Sequence, residues 1–407
     1  MNLFAVLTLV FVASFALKEI LRRLGVPAVV SQISVGIALG VPVLKAAIFD
    51  SPSLSLIDSL SQLGIIFLLF LAGWEIDLRK VMSCAKDAFL IAFSSAFFSF
   101  ILGFGFLYLF FGDMISSGGF DPIISSLIFG ICLSVTAEGT TVKVLMDLKV
   151  IKSRVAAVIL GAGAIDDIIE VLGMVIVLGL AHVDANMELI YLPLDIVFFS
   201  LVVFLVFSIG SRVLTYIERK ETDVDFFMLV LIMMFGLVSL SEFLHLGYLI
   251  GAIMGGFLIQ LIITRRKSNL NADRVEEDEI FEGLKLITLA FLAPFFFINI
   301  GLNFDFNMLL VNPGLFVGAV LVACAGKVLG TMILKPLTKL SWSQLYIIGW
   351  GMNSRGAVEL IMAITAYSAK LIPVEVFSAL VATSVMTTLI FPFIIENRIK
   401  ANPRVMN

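Results

Sequence analysis

The chain has 407 residues, of which 60% are hydrophobic and only 14% are charged. Soluble globular proteins average about 45–50% and about 25% for these two classes, so the composition excludes an ordinary soluble domain. The formal net charge of −4 also argues against a nucleic-acid-binding protein, because such proteins carry a basic surface. The composition therefore predicts a polytopic membrane protein built entirely of α-helices.

Apolar runs long enough to cross the hydrocarbon layer as helices recur along the whole chain. We predict 13 transmembrane helices that are joined by short connections and form a single transmembrane unit over residues 1–407. The longest polar stretch, Arg265 to Glu279, is predicted to be an interfacial linker between two halves. The predicted helices cover residues 3–17, 26–44, 56–76, 88–111, 122–146, 155–181, 190–211, 224–241, 246–263, 281–302, 313–334, 343–368 and 374–395.

The distribution of basic residues predicts the orientation of the chain in the membrane. Lysine and arginine concentrate in the odd-numbered connections and in the C-terminal tail, whereas the even-numbered connections carry only Lys45 and Lys370. Because cytoplasmic loops carry the excess of basic residues, we expect the N-terminus outside the cell and the C-terminus in the cytoplasm.

Three carboxylates lie within two turns of the otherwise apolar sixth predicted helix. Asp166 and Asp167 are adjacent, and Glu170 follows on the same side of the helix. Desolvation and mutual repulsion prevent all three from being ionised unless a cation or a basic side chain compensates. Carboxylate oxygens bind protons and hard cations alike. We therefore predict a cation- and proton-binding site at Asp166 and Asp167, with Glu170 as an accessory carboxylate and a structural ion pair as the alternative.

A lone basic residue, Lys327, lies in the eleventh predicted helix between Gly326 and Gly330, which permit another helix to approach closely. A buried ammonium without an acidic partner would lose its proton. The acids at a comparable depth are those of the sixth helix, so we expect Lys327 to pair with Asp166.

The fifth and twelfth predicted helices are each interrupted by a polar patch that contains glycine. Such an interruption is tolerated inside a membrane only where the freed backbone is buried or lines a cavity, and half-helix ends there can face ions. The two helices are seven positions apart in the order of predicted helices. An odd offset means that they cross the membrane in opposite directions, which predicts an inverted repeat. Two glycine-kinked helices are the alternative. The residues at or beside the two interruptions are Thr136, Glu138, Lys143, Asn353, Arg355 and Glu359, of which the last two can pair at i, i+4.

Six segments together resemble the bacterial and archaeal monovalent cation:proton antiporters, in particular the NapA-like branch related to NhaA within the sodium/hydrogen exchanger superfamily. The resemblance implies a homodimer in the cell (inner) membrane of a prokaryote. It also implies a core domain of about 56–181 and 281–395 with two broken crossing helices, and a dimerisation domain of about 1–44 and 190–263. The segments are LGIIFLLFLAGWEIDL, SVTAEGTTVKVL, GAGAIDD, APFFFINIGLNFD, AGKVLGT and GWGMNSRGAVEL.

The same resemblance implies an electrogenic secondary antiporter that exchanges Na⁺, Li⁺ or K⁺ for protons by alternating access. It makes Asp167 the carboxylate for cation and proton, Asp166 the partner of Lys327, and Thr136 part of the cation site. No enzymatic activity, cofactor or nucleic-acid partner is expected, and membrane lipid surrounds the protein. The chain departs from the family at Ala357, where relatives often carry Glu, and at Glu138, where a small or hydroxyl residue is common.

One alternative function stays open at this point. A sodium-coupled symporter for organic anions has a similar fold and would need an arginine exposed at its site. Arg355 in the twelfth predicted helix is the residue that keeps this alternative open.

Overall fold

The computed structural model describes residues 3–22, 28–151, 153–182, 198–208, 223–244, 248–269 and 275–406, except 76–85 and 200. All regular structure in these ranges is helical. A π-helical turn spans Ile287–Leu292 and a 3-10 turn spans Pro403–Met406. The helices are α1 Leu3–Arg22, α2 Ala28–Gly40, α3 Pro42–Ile48, α4 Ser51–Glu75, α5 Lys86–Ser117, α6 Pro122–Ser134, α7 Glu138–Asp147, α8 Arg154–His182, α9 Asp223–Phe243, α10 Tyr248–Asn269, α11 Val275–Leu286, α12 Ala293–Asn303, α13 Phe306–Val311, α14 Pro313–Met332, α15 Trp342–Gly351, α16 Ala357–Ser368 and α17 Val374–Ala401.

Several of these helices can cross a membrane. Within the described residues, six are long and apolar enough to do so, and the bent pair α2–α3 would add a seventh. The structure therefore supports a multi-pass helical membrane protein. The count of thirteen helices and their orientation stay predictions, because the seventh predicted helix, 190–211, lies largely outside the described residues.

Local chemistry explains where the helices differ from their predicted bounds. The second predicted helix is bent by 86° between Gly40 and Pro42, because proline has no backbone N–H and disfavours helical geometry in the residue before it. The tenth predicted helix contains the π-helical turn, where the Thr288 hydroxyl donates to the Leu284 carbonyl. The predicted polar linker is helical at both ends, since α10 runs to Asn269 and α11 begins at Val275.

The chain divides into two compact units. Unit 1 comprises residues 1–10, 49–77 and 178–299, and unit 2 comprises the remaining residues. In unit 1, α4 packs against α10 through glycines so closely that a Cβ atom at Gly256 would lie 1.9 Å from the Phe70 carbonyl oxygen. The predicted division into core and dimerisation domains stays a prediction.

In unit 2, small residues bring α14 into close contact with α5. A Cβ atom at Gly326 would lie 2.6 Å from Ser99 Cα, and one at Gly330 would lie 2.8 Å from the Ser94 carbonyl oxygen. The Ser94 hydroxyl also donates to the Gly330 carbonyl oxygen at 2.6 Å. The glycines beside Lys327 thus fix the position of the helix that carries this buried cation.

We predict that Gly326→Ala lowers the melting temperature of the detergent-solubilised protein, because the new methyl group would displace the backbone of α5 at an overpacking cost of about 1–3 kcal/mol. Gly105→Ala on α5 is the matched control, since nothing lies within 4 Å of its new Cβ atom. The control should melt at the wild-type temperature or slightly above it, because alanine favours helix more than glycine does. Equal melting temperatures for the two variants would contradict the close packing of α5 and α14.

Candidate ion-binding site

Two helix interruptions meet inside unit 2. The first separates α6 from α7 and the second separates α15 from α16. The backbone N–H of Ala137 donates to the Ser354 carbonyl oxygen at 2.9 Å, and the Ser354 hydroxyl donates to the Ala137 carbonyl oxygen. Each extended segment therefore supplies hydrogen-bonding partners that a broken helix otherwise lacks at membrane depth.

Threonine side chains cap the end of α15. Helix-terminal carbonyls lack partners within their own helix. Here the Thr141 hydroxyl donates to the Gly351 carbonyl oxygen and the Thr136 hydroxyl donates to the Met352 carbonyl oxygen, both at 2.8 Å. A Cβ atom at Gly356 would lie 2.5 Å from the Ala137 Cβ atom, so glycine is required for the crossing to close. Sequence reasoning placed Thr136 at this crossing but missed Thr141.

Arg355 caps the end of α6 from the other interruption. Its Nη1 donates to the carbonyl oxygens of Cys132 at 3.1 Å and Val135 at 2.7 Å, where a positive charge complements the helix dipole. The Arg355 backbone N–H donates to the Thr388 hydroxyl at 3.2 Å. Only 2% of Arg355 is exposed, so its guanidinium is enclosed by the protein. Arg355 is therefore not the exposed arginine that an organic-anion site would need.

Glu359 supplies the carboxylate that accompanies this buried arginine. Its Oε2 lies 3.9 Å from Arg355 Nε, and both side chains are fully buried. Glu359 lies in the first turn of α16, where an acid is favoured by the dipole. Position 357 itself carries no carboxylate, and the acid two residues further along α16 is the one that lies beside the arginine.

A second buried ion pair joins α8 to α14. Lys327 Nζ lies 3.2 Å from Asp166 Oδ2, and neither side chain is accessible. Within the described part of the chain, Asp166 Oδ1 accepts no hydrogen bond. The structure thus brings together the two residues that sequence reasoning paired, and it leaves one carboxylate oxygen for a further ligand.

Asn353 connects the crossing to the helix that carries Lys327. Its Nδ2 donates to the carbonyl oxygen of Cys324, one turn before Lys327 in α14, at 3.3 Å. The Asn353 side chain is buried, and its Oδ1 has no hydrogen-bond donor among the described residues. Carbonyl and carboxylate oxygens of this kind suit hard cations.

Four predicted site residues cannot be placed in this geometry. The backbones of Asp167, Glu170, Glu138 and Lys143 lie in α8 or α7, but their side chains lie outside the described part of the structure. Their predicted roles stay predictions. Among the side chains that are described, no group of three His, Cys, Asp or Glu residues could hold a metal ion.

We predict strong coupling between Asp166 and Lys327 in a double-mutant cycle of thermal stability. Lys327→Met alone would leave a buried carboxylate unpaired, at a cost of about 3–5 kcal/mol if it stays charged, and Asp166→Asn in the same chain should recover much of that loss.

The same cycle on Asp87 and Arg154 is the matched control. This pair joins α5 to α8, with 3.9 Å between Asp87 Oδ2 and Arg154 Nη2. The side chains of Asp87 and Arg154 are 24% and 53% exposed. Its coupling should be about 0–1 kcal/mol, as is usual for exposed pairs. Additive effects at Asp166 and Lys327 would show that the buried contact does not contribute to stability.

Comparison with known proteins identifies the family. A family model described as sodium/hydrogen exchanger, transmembrane, matches residues 7–397. The Na⁺/H⁺ antiporter of Enterococcus hirae is 27% identical over 97% of this chain and 98% of its own length. The probable Na⁺/H⁺ antiporter GerT of Bacillus cereus is 30% identical over 89% of this chain and 90% of its own.

A solved structure shares the fold. The sodium proton antiporter MjNhaP1 from Methanocaldococcus jannaschii matches with a TM-score of 0.61 and 18% identity, over 98% of this chain and 96% of its own. The resemblance to monovalent cation:proton antiporters is thus confirmed, and the family is one of transporters rather than enzymes. The chain belongs to the sodium/hydrogen exchanger family.

Proposed function

We propose that the protein is a secondary active antiporter that exchanges Na⁺ for protons by alternating access, with Li⁺ and K⁺ as alternative cations. The observation that carries this proposal is the buried Asp166–Lys327 pair, in which one carboxylate oxygen accepts no hydrogen bond from the described residues. The names of the two curated relatives, both Na⁺/H⁺ antiporters, support the same exchange.

Asp167 is the proposed carrier of both ions. A cation and a proton would compete for its carboxylate, and either one neutralises it. A bare carboxylate is costly to move through a low-dielectric interior, so the protein would change its accessible side only with one ion bound. We propose that Thr136 contributes an oxygen to the cation and that Glu170 assists, whereas Glu138 and Lys143 adjust the charge around the crossing.

The Asp166–Lys327 pair is the proposed coupling device. Cation binding at Asp167 would draw Asp166 away from Lys327, and an ammonium without its partner is costly to keep charged in this environment. The site would then release two protons for each cation bound, one from Asp167 and one from the separated pair. Returning two protons for one cation moves one net charge, which is worth about 2.3 kcal/mol per 100 mV.

Alternating access is supported by the way the crossing is built. Hydrogen bonds and the close approach at Gly356 join the two interruptions, so we propose that they move as one body within a core domain of about 56–181 and 281–395. The dimerisation domain of about 1–44 and 190–263 would hold two copies together. We further propose thirteen transmembrane helices in inverted repeats, with the C-terminus in the cytoplasm of a prokaryotic cell.

A sodium-coupled organic-anion symporter is the less favoured function. It would require a guanidinium that can reach a substrate carboxylate. Arg355 instead donates to two carbonyl oxygens of the chain and lies beside Glu359, which uses the charge on which that alternative depends.

We predict that Asp167→Asn abolishes cation-driven proton movement in proteoliposomes, because the isosteric amide can neither carry a proton nor offset a cation. The assay follows a pH-sensitive dye while Na⁺, Li⁺ and K⁺ are added in turn, which also identifies the transported cation. Asp113→Asn is the matched control, since Asp113 is exposed on α5, and it should exchange at the wild-type rate. Normal exchange by Asp167→Asn, in protein that melts like the wild type, would refute the role of Asp167.

A further inference from the structure

A cleft lies at one end of unit 2, between the start of α15 and the end of α17. Its volume is about 270 Å³. Apolar, aromatic and basic side chains share its lining. The residues that matter here are Trp342, Ser343, Tyr346, Ile347, Arg398 and Val405.

Arg398 is the charged group of this cleft. Its guanidinium carbon lies 5.0 Å from the centre of the Tyr346 ring, which orients the side chain by a cation–π contact. The structure gives Arg398 no ion pair with any described residue, and its side chain is exposed. Lys400, two residues further along α17, is instead paired with Glu396. The positive charge of Arg398 thus remains available to an anion.

The groups recorded beside Arg398 do not offset its charge. The cleft is bordered by the first turn of α15, where the helix dipole adds positive potential. The carboxylate on this end of α17, Glu396, is neutralised by Lys400. An anionic ligand is therefore complementary in charge to the cleft.

The remaining walls are suited to lipid. Trp342 is 56% exposed, although tryptophan is costly to expose to water. Tryptophan and tyrosine at the ends of transmembrane helices lie at the level of the lipid headgroups. The 3-10 turn after α17 contributes Val405 to the lining. Packing in the hydrophobic core holds this turn in place, because Val405 and Met406 are only 8% and 1% exposed. The cleft thus combines a cation with an apolar, aromatic surface at the end of membrane-crossing helices.

We propose that this cleft binds the headgroup of an anionic glycerophospholipid. The phosphate would lie against Arg398, and the glycerol backbone and upper acyl chain would pack against Trp342, Tyr346 and Ile347. A free inorganic phosphate would leave the apolar part of the cleft unused, whereas a zwitterionic lipid would bring a second positive charge next to Arg398. This site is separate from the ion-binding site and does not depend on the exchange activity.

The test uses fluorescence of Trp342 in proteoliposomes of phosphatidylcholine that contain a small fraction of phosphatidylglycerol with brominated acyl chains. The chain has three tryptophans, so the signal of Trp342→Phe is subtracted from that of the wild type to isolate Trp342. Brominated phosphatidylglycerol should quench Trp342 more strongly than brominated phosphatidylcholine at the same mole fraction.

Arg398→Gln should require about five-fold more phosphatidylglycerol for half-maximal quenching, which is the effect expected of one basic residue at a membrane surface. The double variant Glu396→Gln/Lys400→Gln is the matched control, because it removes the neighbouring ion pair without changing the net charge, and it should change this amount less than two-fold. High salt should weaken the quenching of Trp342 by screening the phosphate, which tests the proposal without a change at Arg398.

Three results would overturn the proposal. Equal quenching of Trp342 by the two brominated lipids would show that the cleft does not select an anionic headgroup. Unchanged lipid dependence in Arg398→Gln, together with no effect of salt, would show that Arg398 does not bind it. Loss of quenching on adding millimolar inorganic phosphate would assign the cleft to a free phosphate instead.

Discussion

The buried pair of Asp166 and Lys327 is the interaction on which the rest of the structure depends. Removing each charge from water costs several kcal/mol, and only close, well-aligned partners offset that cost. Both side chains are inaccessible, and their charged atoms lie 3.2 Å apart. Such a pair requires α8 and α14 to be held in register. The glycine contacts between α14 and α5 hold one of its two helices.

At the crossing of the two interrupted helices, the buried backbone also needs hydrogen-bonding partners. Carbonyl groups at the ends of α6 and α15 accept hydrogen bonds from Arg355, Thr136 and Thr141. The ends of these half-helices are thus already capped by side chains. We therefore expect a bound cation to be held mainly by side-chain oxygens, with Asp167 and Thr136 as the proposed donors, rather than by those carbonyls.

Much of this site could be predicted from the sequence because charges are rare in apolar helices. Lys327 had few acids at its own depth to pair with, and the i, i+4 spacing of Arg355 and Glu359 indicated a local contact. The polar patches within two apolar runs likewise indicated where the helices break.

The hydroxyl contacts could not be predicted in this way. Serine and threonine are common in apolar helices and often bond to a carbonyl one turn earlier, so nothing in the sequence shows that Thr141 reaches Gly351 instead. The π-helical turn at Ile287–Leu292 has no distinct composition either. The bend before Pro42, by contrast, follows from the preference of the residue before a proline for extended geometry. A prediction from the length of the apolar run alone does not include this bend.

The central claim is that the Asp166–Lys327 pair opens in each cycle and adds a second proton to the exchange. The most direct measurement is the electrical current across a supported membrane loaded with the wild-type protein after a sudden addition of Na⁺. The account predicts a transient current, together with exchange that responds to a potential set by potassium and valinomycin. Robust exchange without current and without any response to that potential would show that one proton moves per cation, and would contradict the role proposed for Lys327.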